Sequence, residues 1–276
     1  MEFYSDFSNI IPKYDAYILD LWGVIHDGTT LYSCVIETLH AIRKDGGKIV
    51  FLSNAPRRAG RIETVLNNFG ITADLYDGIM SSGEAGFHFL KTSHGQAYYY
   101  FGPKKDAGLL DGTTHRMVPS MEEAEFALCV DLDFHGQALD EHLPALEKLY
   151  ALNIPMICVN PDIEVVKQTG QHIWCAGALA QEYEKMGGEV SYFGKPHSHV
   201  YEATLELLGN PPRDKVLAVG DNIDTDIKGA NNQQIDSALI TGGILAREMP
   251  NPDPFALRKL CEDKDAFPTY VMPGFR

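Results

Sequence analysis

The stretch Val216-Leu217-Ala218-Val219-Gly220-Asp221-Asn222-Ile223-Asp224-Thr225-Asp226 joins a short apolar run to a cluster of carboxylates. A run of this length suits a strand buried on both faces of a parallel sheet. The residues after it place Asp221, Asp224 and Asp226 at the end of that strand. Buried carboxylates are costly to hold without a cation, so this pattern points to a hard-metal site. It is not an EF-hand loop: with Asn222, Asp224 and Asp226 in the odd positions, Ile227 stands where that loop needs glycine.

Working outward, the same alternation of strand and helix runs through the whole chain, which favours parallel sheets covered by helices. Tyr17 to Trp22, Lys48 to Leu52 and Asp77 to Ser82 read as strands. Helices are expected from Cys34 to Lys44, Gly60 to Phe69 and Glu84 to Lys91, with Asp45-Gly46-Gly47 ending the first as a turn. The pattern restarts near Gly86. Tyr98 to Phe101, Phe126 to Val130 and Pro155 to Val159 are three further strands, with helices from Leu139 to Leu152 and Gly177 to Met186. Gly187-Gly188 reads as a hinge, followed by a helix near His199 to Leu208 and strands at Lys215 to Val219 and Ser237 to Ile240. The expected organisation is a core of residues 1–85 and 189–276 interrupted by a second α/β domain at 86–188.

Three other strand ends carry chemistry. Leu19-Asp20-Leu21-Trp22-Gly23-Val24 puts Asp20 at the carboxyl edge of the first strand, where ligands bind in open α/β sheets and helix N-termini point inward. An aspartate there can attack phosphorus and share a metal ion, although such residues are also common in turns. Phe51-Leu52-Ser53-Asn54 offers a hydroxyl and backbone N–H groups to phosphate oxygens. Gly194-Lys195-Pro196 holds one lysine on a restrained backbone, suited to placing positive charge on a transferring phosphoryl group.

In this order, each at a strand end, the four segments resemble the haloacid dehalogenase (HAD) superfamily, and the resemblance covers the whole chain. It implies a doubly wound parallel-sheet, Rossmann-like α/β core and an Mg²⁺-dependent phosphatase acting through an aspartyl-phosphate. The family's nucleophile maps to Asp20, its phosphate-binding hydroxyl to Ser53 and its lysine to Lys195. The metal oxygens map to Asp20, the Trp22 carbonyl and Asp221, with Asp226 in support. Val130-Asp131, Asn160-Pro161-Asp162 and Gly177-Ala178-Leu179 make the insert look like the cap of the class IIA branch. Known members of that branch dephosphorylate nucleotides, sugar phosphates, pyridoxal phosphate and nitrophenyl phosphate. Asn54, Arg57, Asn160, Asp162 and Gly177 join Ser53 and Lys195 as candidate contacts to a small phosphorylated metabolite.

The chain departs from the family two residues after the nucleophile. Most HAD phosphatases carry an aspartate there that protonates the leaving oxygen and then activates water; here it is Trp22. A positioned acid/base contributes roughly 10²–10⁴ in rate, and an indole N–H cannot replace it. Three readings stay open. The enzyme acts on esters whose leaving group needs no proton, or it uses another acid, with His26 and Asp27 the candidates. It binds a phosphorylated ligand and turns it over poorly. Or it is a phosphotransferase that forms a stable aspartyl-phosphate.

Composition narrows the field. With 45% hydrophobic and 22% charged residues the 276-residue chain can bury two domain cores. A net charge of -15 argues against nucleic acid and against anionic membrane surfaces as partners. No apolar stretch reaches the roughly 18 residues of a membrane span. Glu2 and Asp6 stand where a signal peptide would be basic, so the cytoplasm is the expected compartment. A homodimer is compatible with all of this. Cys34, Cys129, Cys158, Cys175 and Cys261 are scattered without a CxxC pair and read as buried thiols. Asp131-Leu132-Asp133 mimics the first motif but lacks Gly-Val after it, and reads as a cap strand. His197 and His199 are two apart, on different sides of a helix, and suit a helix entry better than a metal site. No GxxxxGK[ST] or GxSxG pattern occurs.

Overall fold

The structure is a computed structural model and describes residues 1–92, 95–132, 138–166, 172–249 and 253–276. The chain divides into two compact units: Met1–Ser53, Gly60–Met80 and Lys195–Arg276 form the first, Asn54–Ala59 and Ser81–Gly194 the second.

The first unit is built on a seven-stranded sheet in the order Glu2–Phe3, Tyr270–Met272, Asp236–Ile240, Val216–Gly220, Ala16–Leu19, Lys48–Ser53, Gly78–Ser81. Ala16–Leu19 and Val216–Gly220 are buried at every residue, as parallel strands covered on both faces must be. They pair in parallel with Val219 opposite Leu19, and Leu19 in turn lies opposite Phe51. Asp20, Ser53 and Asp221 therefore emerge at one carboxyl edge from three neighbouring strands. Helix Val35–Lys44 turns the stripe Val35, Thr38, Leu39 and Ile42 into the core. It closes as expected through Asp45-Gly46-Gly47, with the Gly47 N–H donating to the Ile42 carbonyl at 3.0 Å.

The first strand is shorter than expected, ending at Leu19 rather than Trp22. The Asp20 N–H still donates to the Val219 carbonyl at 2.9 Å, and the chain leaves the sheet after it, where the N–H groups of Ile25 and His26 both turn back to the Leu21 carbonyl, at 2.9 and 3.1 Å. Two short strands, Glu2–Phe3 at the sheet edge and Tyr270–Met272 beside it, carry too little pattern to be read in advance. Helix Pro254–Lys264 was legible and missed: Asp253 caps it, accepting from the Phe255 and Ala256 N–H groups at 2.9 Å, with proline in the first turn.

In the second unit, Val190–Tyr192, Met156–Cys158, Phe126–Cys129, Ala97–Phe101 and Arg116–Met117 lie in that order in a parallel sheet. Glu164–Val166 and His172–Trp174 form a separate antiparallel pair. Helix Ala176–Lys185 packs Leu179, Ala180 and Tyr183 into this unit's core, and the Tyr183 hydroxyl donates to the Ile154 carbonyl at 2.7 Å. The helix expected over Leu139 to Leu152 is split into a tight turn, Leu139–His142, and helix Leu143–Ala151, with Pro144 in the new first turn. Gly187 and Gly188 are not a hinge here. They close helix Ala176–Lys185, and the strand after them still pairs within this sheet. Asp131 lies beyond the end of strand Phe126–Cys129, while Asp133, Phe134 and His135 fall outside the described residues. No helix among the described residues is long and apolar enough to cross a membrane. Four of the five free cysteines are buried, but Cys34 is exposed, in a left-handed conformation just before helix Val35–Lys44.

Candidate active site

Lys195 is the centre of the site. Its ammonium donates to Asp20 Oδ1 at 2.5 Å and to Asp226 Oδ1 at 2.6 Å, and all three side chains are buried. Burial by itself disfavours the charged lysine, but Asp20 and Asp226 outweigh it and hold the group protonated. Asp221 completes the cluster: Asp20, Asp221 and Asp226 each offer an oxygen within 4.8 Å of the others. It is the sole grouping of three or more such ligands among the described residues that could hold a metal; His197 stands just before helix Ser198–Leu207 and His199 lies in its first turn.

Of the three carboxylates in the opening motif, only two turn inward. Residues Ile223–Ile227 form a single wide helical turn, started by Asn222, whose side chain accepts from the Asp224 N–H at 2.8 Å. That turn directs Asp226 to Lys195 and leaves Asp224 exposed, paired with Lys264. Tyr201, which the sequence did not single out, is buried beneath and donates to the Asp226 carbonyl at 3.1 Å. The Ile244 N–H, also unforeseen, donates to Asp221 Oδ2 at 2.6 Å. A backbone amide leaves no side-chain signature, although Gly242-Gly243 beside it was a hint.

The charge balance is unfinished. Burial, with the charge of Asp226 adding to it, pushes Asp20 up to about 7 against the pull of Lys195. Burial and the charges of Asp20 and Asp226 hold Asp221 well above the usual carboxylate range, despite the Ile244 N–H. Fully ionised, three close carboxylates against one ammonium would leave net negative charge in a dry site, and an oxygen-lined cluster of this kind suits a hard divalent cation. Cation binding must displace protons where these groups are protonated. Apparent Mg²⁺ affinity is therefore expected to weaken about tenfold per pH unit for each proton displaced as pH falls below about 7. Calorimetric titration at several pH values measures it, and an affinity flat with pH would contradict the assignment.

The loop after Asp20 is shaped by that cluster. Gly23 has φ +91°, and a Cβ on it would lie 1.8 Å from Asp221 Oδ2. Gly23→Ala is expected to cost about 1–2 kcal/mol from the left-handed backbone, and to weaken Mg²⁺ binding about tenfold or more by displacing Asp221. Thermal unfolding with and without Mg²⁺ tests this; an unchanged Mg²⁺-dependent rise in Tm would count against it.

Trp22 is 48% exposed, with its indole edge-on to His26 at 5.9 Å, and the His26 ring stacks on Phe69 at 5.0 Å. Both sequence candidates for the absent acid are engaged within their own loop. His26 Nδ1 accepts from the Gly28 N–H at 2.9 Å, and burial lowers its pKa, so the ring is held neutral. Asp27 folds back to accept from the Thr29 and Thr30 N–H groups at 2.9 and 2.7 Å, which lower its pKa and make it a poor donor.

Ser53 is buried at the end of strand Lys48–Ser53. The remaining candidates belong to the second unit. Asn54 donates through Nδ2 to Asp162 Oδ1 at 2.8 Å, and the Gly177 N–H donates to the Asp162 carbonyl at 3.1 Å, so these three are joined. Asn160 is buried nearby in sequence, with its Oδ1 lacking a partner. Arg57 is apart from them, its Nε 3.3 Å from Asp106 Oδ1.

Residues 17–113 match the family model described as haloacid dehalogenase-like hydrolase, and residues 192–266 match one described as HAD-hydrolase-like. Together they span more than half of the chain and carry Asp20, Ser53, Lys195, Asp221 and Asp226. The chain belongs to the haloacid dehalogenase-like hydrolases. Within that family it is 25% identical to a 4-nitrophenylphosphatase of Schizosaccharomyces pombe over 86% of either chain. It is 24% identical to an acid sugar phosphatase of Staphylococcus saprophyticus, covering 86% of this chain and 90% of that one. A crystal structure of a haloacid dehalogenase-like hydrolase from Brucella suis superposes with a TM-score of 0.85 at 28% identity, covering 99% of this chain and all of that one. Structural neighbours also include a 4-nitrophenylphosphatase from Thermotoga maritima, with a TM-score of 0.73 at 23% identity, covering 95% of each chain.

Proposed function

We propose that this hydrolase is an Mg²⁺-dependent phosphomonoesterase that works through an aspartyl-phosphate on a small phosphorylated metabolite, such as a sugar phosphate or a nucleotide. The buried Asp20–Lys195–Asp226 arrangement beside Asp221 carries the reading. A carboxylate of Asp20 attacks phosphorus in line, and the bond to the ester oxygen breaks. Lys195, oriented by Asp226, stabilises charge on the phosphoryl oxygens, and the Ser53 hydroxyl is assigned to one of them. Held by Asp20, Asp221 and the Trp22 carbonyl, Mg²⁺ would supply Lewis-acid stabilisation of the phosphoryl charge. Water then hydrolyses the acyl phosphate and restores Asp20. The second unit is taken as the class IIA cap, with Asn160 a candidate contact, and the cytoplasm as the compartment.

A second reading, a phosphate-binding protein of weak turnover, is favoured by one observation: Trp22 in place of the acid. Phosphate release from para-nitrophenyl phosphate separates the two. Release that requires Mg²⁺ and stops with EDTA is expected; binding of Mg²⁺ and phosphate by folded protein without any release would favour the second reading.

A further inference from the structure

Resting on the hydrolase reading but replacing its sugar phosphates and nucleotides, which are alkyl esters, with another class, we propose that Trp22 selects phosphate esters of phenols, whose aromatic ring stacks on the exposed indole. Two separate features lead there. The first is the missing acid. Trp22 occupies the acid's position, His26 Nδ1 is engaged by the Gly28 N–H, and Asp27 is engaged by Thr29 and Thr30. An alkyl ester would have to expel an alkoxide without a proton, whereas an aryl ester expels a far more stable phenolate.

The second feature is a prepared aromatic surface. Trp22 has nearly half of its area exposed, yet its position is fixed by close neighbours. A Cβ on Gly28 would lie 2.3 Å from the indole ring, so glycine there is what admits the ring. His26 meets it edge-on and is itself stacked on Phe69, giving three aromatic side chains in series. A large apolar ring held rigid and uncovered two residues from the nucleophile offers stacking at little ordering cost.

The step balances without another reactant. An Asp20 oxygen forms a bond to phosphorus, and the phosphorus–aryl oxygen bond breaks. The electron pair leaves with the phenolate, which takes a proton from solvent. Water then cleaves the acyl phosphate to inorganic phosphate and the Asp20 carboxylate.

The test uses para-nitrophenyl, phenyl, benzyl and acetyl phosphates. Benzyl phosphate has the ring but a basic leaving group; acetyl phosphate has a good leaving group but no ring. Wild type should turn over the two aryl esters far faster than benzyl phosphate. In Trp22→Leu, kcat/KM for para-nitrophenyl phosphate should fall about tenfold more than for acetyl phosphate. Binding supplies a readout free of turnover. The chain has two tryptophans, so in a Trp174→Phe background Trp22 fluorescence reports alone. With Mg²⁺ present, phenylphosphonate should change it and bind about tenfold more tightly than methylphosphonate. Equal binding of the two phosphonates, or equal losses on para-nitrophenyl and acetyl phosphate in Trp22→Leu, would overturn the proposal. If no ester gave Asp20-dependent release while phenylphosphonate kept its advantage, the hydrolase reading would fall and aromatic recognition would stand.

Discussion

Asp20→Asn is expected to lower phosphate release by at least about 10⁴-fold without unfolding the protein. The carboxamide keeps the shape of the carboxylate and can still accept from Lys195, whose second partner, Asp226, is untouched. What is lost is the nucleophile. The same variant should also be more stable than wild type above neutral pH when metal is removed. Asp20 titrates near 7 when folded against an ordinary 3.8, so between those values the native chain binds more protons than the unfolded one. The contribution of Asp20 to the stability of the metal-free wild type therefore falls as pH rises from about 4 to about 7, and Asn removes that part of the pH dependence. Thermal unfolding in EDTA at pH 5 to 8 measures it. A large loss of Tm in the variant, or residual release close to wild type, would argue that Asp20 is a scaffold residue and not the nucleophile.

Trp22→Asp is expected to act in the opposite direction, raising kcat on benzyl and other alkyl phosphates by about 10²–10⁴. A carboxyl group introduced two residues after Asp20 supplies the proton that wild type cannot. The space vacated beside Gly28 leaves the loop backbone undisturbed, because Gly23 and His26 still bond through the backbone at 2.9 Å. The gain should be largest for the most basic leaving groups and smallest for para-nitrophenyl phosphate, which needs no acid. Steady-state rates across such a series decide the matter. A variant that folds, binds Mg²⁺ and shows no differential gain would mean that Trp22 does not stand at the leaving oxygen.

Much of this arrangement could be read from the chain because short apolar strands and the residues ending them announce themselves. Ala16–Leu19 and Val216–Gly220 have no polar residue to hide, and Asp20 and Asp221 follow them directly. Adjacency of the two strands then brings the carboxylates together. Only the family resemblance told Asp226 from Asp224, since the wide turn Ile223–Ile227 breaks the ordinary helical spacing from which residue order alone could sort them. The Ile244 amide was invisible for a different reason: backbone donors depend on a chain path, not on residue type. His26 and Asp27 looked like acids because their residue types can be; their actual bonds, to Gly28, Thr29 and Thr30, follow from a turn whose shape the sequence does not spell out. Gly187-Gly188 misled because the same pair that loosens a linker also closes a helix.

The order of strands in the larger sheet bears on how the protein is made. Ala16–Leu19 is flanked on one side by Lys48–Ser53, which emerges soon after it, and on the other by Val216–Gly220, nearly 200 residues later. During synthesis the first of these strands thus carries one edge of unpaired N–H and C=O groups, between apolar side chains, until most of the polypeptide has left the ribosome. Such an edge is a template for pairing with other chains. Messages cut short before residue 216 should accordingly yield insoluble fragments, and nascent chains of that length should be the ones held by chaperones.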